Sequence, residues 1–197
     1  MRNRETKYRI DFLRKINKQI QPCLLPIFYL DRMNIIETFY TAFANGDAQT
    51  MGACYHPDAE FTDEVFVGLK GKEVPAMWRM LIERSKGEME ITFSHVQLNA
   101  GEPPQIQAGD LPQTGSADWV AVYVFSTTGR RVINRIHAEF EFKDGKIWRH
   151  RDSFNLHKWA SQAMGFKGKL LGGTSFLRKK VQKTAREGLN RYLSRNI

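Results

Sequence analysis

Cysteine is scarce in this chain of 197 residues: there are two, Cys23 and Cys54. Neither has a histidine or a second cysteine beside it, which excludes a disulfide framework and a structural zinc cage, and a reducing, cytoplasmic setting is expected. Long apolar runs are missing as well. The longest, Cys23 to Leu30 and Trp119 to Phe125, fall far short of the ~20 residues that a membrane-spanning helix requires. The first is broken by Pro26 and followed by Asp31-Arg32, which argues against a secretory signal. Gly168 to Gly173 lacks the preceding strand and the terminal Lys-Ser/Thr of a phosphate loop. The five histidines show no metal-ligand spacing, so neither a metal nor another cofactor is expected.

What is present suffices for one core, since 42% of the residues are hydrophobic. The net charge of +9 is concentrated at the ends. Residues 1–32 carry eight basic and three acidic side chains, residues 166–197 carry nine and one, and the centre is mildly acidic. The N-terminal arm has Ile10, Leu13, Ile16 and Ile20 at helical spacing. The C-terminal arm sets Phe176, Leu177, Val181, Ala185, Leu189 and Tyr192 among basic residues, an amphipathic helix. The division expected is a basic extension, residues 1–32, set apart from the fold, a domain over 33–165, and a basic helix in 166–197. A polyanion is not attracted by an acidic centre, so nucleic acid is not expected as a partner. For the C-terminal helix, packing on its own domain or a second copy is favoured over contact with an anionic membrane.

The patterning within the centre changes once. Ile35, Ile36, Phe39, Tyr40 and Phe43 predict a helix capped by Asn34 and stopped at Gly46. A short helix from Asp47 to Tyr55 follows, ended by His56-Pro57, then a short strand with Phe61, Asp63 and Val65 on one parity. Val74, Met77, Trp78 and Leu81 form the stripe of a third helix. From Glu88 the period is two. Met89, Ile91 and Phe93 share a face while Val96 and Leu98 have the opposite parity, which predicts a bulge near Ser94-His95. Gly101 to Gly115 reads as a loop. Ala117 to Ser126 is apolar on both faces and is expected to be covered on both. Asp144-Gly145 is a two-residue hairpin turn joining a strand that ends at Phe142 to one that begins at Ile147. The fold class is therefore α+β, an antiparallel sheet with one helix-covered face.

Register decides what the last strand turns inward. Without a bulge, Phe140 faces Arg149 and Ala138 faces Arg151, burying two arginines at high cost. One extra residue near Trp148 instead sets His150, Asp152 and Phe154 opposite Phe140, Ala138 and Ile136. The bulged register is expected.

Phe39 to Asp47, Tyr55-His56-Pro57-Asp58-Ala59-Glu60-Phe61-Thr62-Asp63, the Trp78 helix, the Lys143 to Ile147 turn and His150 to Phe154 together resemble the nuclear transport factor 2-like superfamily, over residues 34–164. Its SnoaL-like, ketosteroid isomerase-like branch is the most similar. The resemblance implies a cone-shaped fold, a curved sheet wrapped around three helices to enclose a pocket, assembled as a homodimer. It implies no single reaction, because this cone carries isomerases, hydrolases, cyclases and proteins without catalysis.

A polar residue on an apolar face is the signal for chemistry in such a pocket, because burial shifts its proton affinity and strengthens its hydrogen bonds. Asp152, His150 and Asp63 are the candidate catalytic residues. Tyr123, Asn134, Trp78, Trp119 and Phe140 are the candidate substrate-binding residues. Each has a structural alternative: Asp63 as the cap of a turn, Asn134 satisfying strand backbone, Tyr123 as a core aromatic, His150 with Asp152 as a pair inside the sheet. The isomerase branch implies a carboxylate base, Asp152 or Asp63, with Tyr123 donating to an enolate oxygen. The epoxide hydrolase branch implies an inward arginine that the bulged register does not supply. The function expected is binding of a small apolar, carbonyl-bearing molecule, with proton transfer by Asp152 and His150 if the protein is an enzyme. The alternatives are a non-catalytic ligand-binding or scaffold module whose interior is filled by Phe and Trp, and a membrane or nucleic-acid protein acting through its basic arms.

Overall fold

The computed structural model describes residues 34–99 and 114–195. The helix expected in the N-terminal arm, and most of the expected loop over 101–115, lie outside the described residues. These comprise helices α1 (Ile35–Ala44), α2 (Ala48–Ala53) and α3 (Glu73–Ser85), strands β1 (Tyr55–Thr62), β2 (Leu69–Lys70), β3 (Glu90–Asn99), β4 (Thr114–Phe125), β5 (Arg130–Lys143) and β6 (Lys146–Phe154), then helices α4 (Leu156–Met164), α5 (Phe166–Leu171) and α6 (Ser175–Leu193). The strands form one curved, unclosed sheet in the order β2-β1-β6-β5-β4-β3. All pairs are antiparallel except β1 with β6.

Local chemistry explains most boundaries. The Asn34 side chain accepts from the Glu37 amide at 3.0 Å and starts α1, while Asp47 accepts from the Thr50 amide at 2.9 Å and starts α2. Ile36, Phe39, Tyr40 and Phe43 turn one face of α1 into the core, where Val74, Met77 and Trp78 of α3 meet them. His56-Pro57 does not end a helix: Tyr55 already begins β1, and the proline lies in the stretch between Tyr55 and Glu60 where the ladder to β6 is interrupted. A residue without an N–H is tolerated there.

The two expected bulges are both present. The β3 register shifts between Ser94 and Gln97, where His95 takes a positive φ of 52°. In the β5–β6 hairpin, Asp144 and Gly145 have φ of 52° and 71°, Phe142 pairs with Ile147, and Glu141 pairs with Arg149. Trp148 is thus the extra residue, and His150, Asp152 and Phe154 stand opposite Phe140, Ala138 and Ile136. Arg149 and Arg151 point outward; Arg149 lies 3.9 Å over the Trp148 ring and 3.0 Å from Glu141.

Two expectations about β4 change. The strand begins at Thr114 rather than after Gly115, because Thr114 and Gly115 already pair with Asn99 and Leu98 of β3 and with Glu141 and Phe140 of β5; Gly115 fits there without a side chain, since a Cβ would stand 2.7 Å from Ile36 and 2.8 Å from the Gln97 carbonyl. Its outer face is not covered among the described residues: Val120 and Val122 are half-buried, and Val124 and Ile133, the β5 residue that pairs with Val122, are exposed.

The last three helices pack on the same unit, residues 34–197. Leu156, Trp159, Ala160 and Ala163 of α4 build a second core with Val132 and Leu177. α5 rests on α4 through Gly168, where a Cβ would lie 1.8 Å from the Ala160 carbonyl oxygen. Charge pairs fix α6: Arg178 with Glu64, and Arg186 with Glu73 at 2.6 Å, with Leu189 fully buried beneath. Replacing Gly168 by alanine must therefore push α5 off α4, and Gly168→Ala is expected to lower stability by about 2 kcal/mol, roughly 4–8 °C in thermal unfolding. Gly173→Ala, where nothing lies within 4 Å, is the control and leaves the melting temperature unchanged.

Candidate functional site

Between the inner face of the sheet and helices α3, α4 and α6 lies a cavity of about 630 Å³. Its walls are mainly rings and methyls. Phe43, Trp78, Met77 and Leu81 come from the helices, Trp119, Ile136 and Phe154 from the sheet, and Leu177, Val181 and Ala185 from α6. Four polar side chains expected from the sequence reach it: Asp63, Tyr123, Asn134 and Asp152.

Asp152 is buried, and the two oxygens of its carboxylate have different surroundings. Oδ1 accepts from Trp119 Nε1 at 3.2 Å and lies 3.1 Å from His150 Nε2. Oδ2 has no hydrogen-bond partner among the described residues, so the carboxylate is held on one side and open to the cavity on the other.

His150 does not line the cavity. It lies behind Asp152, enclosed by the rings of Phe140, Phe61 and Phe39 at centroid distances of 4.3, 5.0 and 5.6 Å. Its Nδ1 is 2.6 Å from the Tyr55 hydroxyl, which accepts from Trp78 Nε1 at 2.9 Å. The order of donors assigns the tautomer. With Trp78 donating to the Tyr55 oxygen, the acceptor that the buried Tyr55 proton meets among the described residues is Nδ1, so the imidazole carries its hydrogen on Nε2 and donates to Asp152. Phe140 likewise sits behind the cavity wall, against His150, and does not line it.

Asp63 follows β1 immediately, where it both caps a turn and borders the cavity. Oδ1 accepts from the Val65 amide at 2.6 Å and from the Phe66 amide, closing the turn, while the side chain also borders the cavity. Burial pushes its carboxyl up to about 7, against the two amide hydrogen bonds that pull it down, and the charge of Asp152 adds to the rise. Tyr123 accepts from Trp159 Nε1 at 2.8 Å, which leaves its own proton free to donate, and burial raises its pKa. Burial raises Tyr55 well above the ordinary phenol value, so it stays a proton donor.

Sequence reasoning did not find Tyr55, although it lies in the quoted Tyr55-His56-Pro57-Asp58 stretch; a lone tyrosine at a strand start gives no sign of which imidazole it will meet. The contribution of α6 was missed too. Its apolar face signalled packing, not that the surface it packs on is a cavity mouth. His95 and His137 are surface residues sharing Asp118, at 2.9 and 2.7 Å. No cluster of three or more metal-ligating side chains occurs among the described residues.

Asp63 gives a direct test of this electrostatic picture. A carboxyl whose pKa is raised on folding binds its proton more tightly in the native state, so its stability contribution is greatest below about 4 and is lost as pH rises toward 7. Asp63→Asn keeps an oxygen for the Val65 and Phe66 amides and removes the ionisation. It is expected to stabilise the protein by about 1–2 kcal/mol at pH 8, after allowance for cavity water, and by nothing at pH 4, in urea unfolding at both pH values.

Comparison with known proteins follows the same lines. No curated protein matches the chain. Among solved structures it is similar to TerC co-crystallised with polyporic acid, with a TM-score of 0.50 and 14% identity, covering 66% of this chain and 96% of that one. It is also similar to an LEH-like epoxide hydrolase of M. tuberculosis (TM-score 0.45, 21% identity, 73% and 92% covered). A third is a Catenulispora acidiphila protein of ketosteroid isomerase-like fold, in complex with trimethylamine (TM-score 0.48, 12% identity, 66% and 92% covered). At these identities the likeness concerns the fold. The family model of the SnoaL-like domain matches residues 36–150, more than half of the sequence, and contains the turn, the bulged hairpin and His150. The chain belongs to the SnoaL-like domain family, within the nuclear transport factor 2-like superfamily.

Proposed function

We propose that the cavity binds a small, apolar, carbonyl-bearing molecule and that Asp152 moves a proton on it. The observation that carries this reading is the divided carboxylate: one oxygen held by Trp119 and His150, the other facing an apolar cavity without a partner among the described residues. A carboxylate placed this way is a base that need not reorient before it reacts. It takes a proton from the carbon beside the carbonyl, and the C–H electron pair moves to the carbonyl oxygen as an enolate. Tyr123 and Asn134 border the cavity and can donate to that oxygen. The proton returns to carbon from Asp152, which restores the carboxylate; Asp63, whose pKa of about 7 lets it hold a proton near neutrality, borders the same cavity as a further hydrogen-bond donor. His150 steadies the charge on Asp152 through Nε2–H, and Tyr55 and Trp78 hold the ring in that tautomer.

The open cavity favours this reading over a scaffold with a filled interior. Neither arginine of β6 borders the cavity; the arginine that does is Arg84 of α3, so a hydrolase of the Asp-Arg-Asp type would have to draw its arginine from that helix and not from the last strand. For assembly, we infer a homodimer that covers the row Val120, Val122, Val124 and Ile133, since a patch of this kind is otherwise left to water. Ile133→Lys is expected to shift the mass measured by light scattering from dimer to monomer; an unchanged dimer removes this face from the interface.

The chemical test is hydrogen–deuterium exchange at the carbon beside the carbonyl of a panel of apolar ketones, followed by NMR in D₂O. Asp152→Asn is expected to slow the exchange roughly 10²–10⁴-fold while the ketone still binds. Exchange at the wild-type rate in Asp152→Asn, or none in the wild type for any ketone that binds, contradicts the proposal.

A further inference from the structure

The described residues contain eight large hydrophobic side chains that are exposed, and four of them fall within one stretch of eleven residues: Phe166, Leu170, Leu171 and Phe176. Three are the most exposed of all, Phe166 at 79%, Leu170 at 70% and Phe176 at 67%. Chance scatter of surface hydrophobics is ordinary, but a cluster of this size on an otherwise charged segment is not.

Helical spacing explains the cluster. On α5, Phe166 and Leu170 are four residues apart and share a face, opposite the Gly168 side that rests on α4. On α6, Phe176 lies on one face with Lys179, Lys180 and Lys183, while Leu177, Val181 and Leu189 turn toward the domain. The short turn between α5 and α6, Gly172 to Thr174, keeps the two apolar faces close in sequence.

The surrounding charge is of one sign. Arg178 and Arg186 are engaged by Glu64 and Glu73, and Lys183 has only Glu187, at 4.0 Å. Lys167, Lys169, Lys179 and Lys180 have no acidic partner among the described residues. Rings and a leucine standing out from among these lysines match a bilayer interface bearing anionic lipid, where the apolar groups enter the acyl boundary and the ammonium groups meet the headgroups. A nucleic acid backbone offers the lysines the same charge but gives Phe166, Leu170 and Phe176 nothing to enter.

We propose that α5 and the first turns of α6 dock the protein on anionic membranes through Phe166, Leu170 and Phe176, with Lys167, Lys169, Lys179 and Lys180 contacting the headgroups. Lys167, Leu171, Phe176 and Lys180 also border the cavity, so the docked protein turns the cavity mouth toward the lipid. No helix of the described residues is long and apolar enough to cross a membrane, and the docking is peripheral.

The full chain tests this by co-sedimentation with vesicles of phosphatidylcholine alone or with about one third phosphatidylglycerol. Binding is expected only with phosphatidylglycerol, weakened by salt. Phe166→Ser with Leu170→Ser and Phe176→Ser is expected to lower the affinity roughly ten-fold or more, with the melting temperature unchanged because all three side chains are exposed. Lys179→Glu with Lys180→Glu is expected to lower it as well. The proposal is overturned if the wild type binds neither vesicle, or if the triple variant binds as tightly as the wild type, which assigns the contact to residues 1–32. It is equally overturned if vesicles are ignored and the triple substitution instead turns a dimer into a monomer, which assigns the patch to a second copy.

Discussion

A histidine and an aspartate at i and i+2 on the inner face of a sheet, both buried, are tolerable only where each donor meets an acceptor. In this protein the condition is met by one line of contacts: Trp78 to Tyr55, Tyr55 to His150, His150 to Asp152, with Trp119 reaching the same carboxylate oxygen. The line joins α3, β1, β6 and β4, so the polar pair is held by elements that are far apart in sequence. Removing one member leaves the next buried and unpaired, which costs more than any single hydrogen bond contributes. The same line leaves one carboxylate oxygen with no partner among the described residues and facing the cavity. That asymmetry suits the proton transfer proposed for Asp152.

The register of β6 decides whether this line can exist, and it was legible in the sequence. Arginine is too costly to bury, so the parity of Arg149 and Arg151 against His150 and Asp152 forced an extra residue into the hairpin, and Trp148 is that residue. The same kind of argument located the β3 bulge, from the change of parity between Phe93 and Val96. It failed at β4. Apolar residues on both faces were read as burial on both faces, but Val124 is exposed, because a two-sided apolar pattern records what a strand is able to cover, including surfaces outside the chain. It failed also at His56-Pro57, where proline marks an interrupted ladder rather than a helix end. Asp63, Tyr123, Asn134 and Asp152 could be picked out as polar residues on apolar faces. That Phe140 and His150 stand one layer behind them could not, since depth behind a wall leaves no trace in parity.

The C-terminal helix shows how a segment outside the family match shapes the site. The matched region ends at His150, yet Leu177, Val181 and Ala185 of α6 close one wall of the cavity and Arg84 of α3 lies against Gly188 of the same helix. The charge that made this arm conspicuous in the sequence is used in two ways. Arg178 and Arg186 hold the helix to Glu64 and Glu73, while the lysines nearer its start and those of α5 have no acidic partner among the described residues and surround exposed rings. A segment with one role in packing and another at the surface reads in the sequence simply as an amphipathic basic helix.

The central claim is that the buried imidazole presents Nε2–H to Asp152 and a bare Nδ1 to Tyr55. Long-range ¹H–¹⁵N NMR of the His150 ring at pH 8 measures this directly. The account predicts a protonated Nε2 and an unprotonated Nδ1, with the Nδ1 resonance moving when Tyr55 is replaced by phenylalanine. A proton found on Nδ1, with Nε2 bare beside the carboxylate, would contradict the hydrogen-bond order on which the proposed chemistry rests.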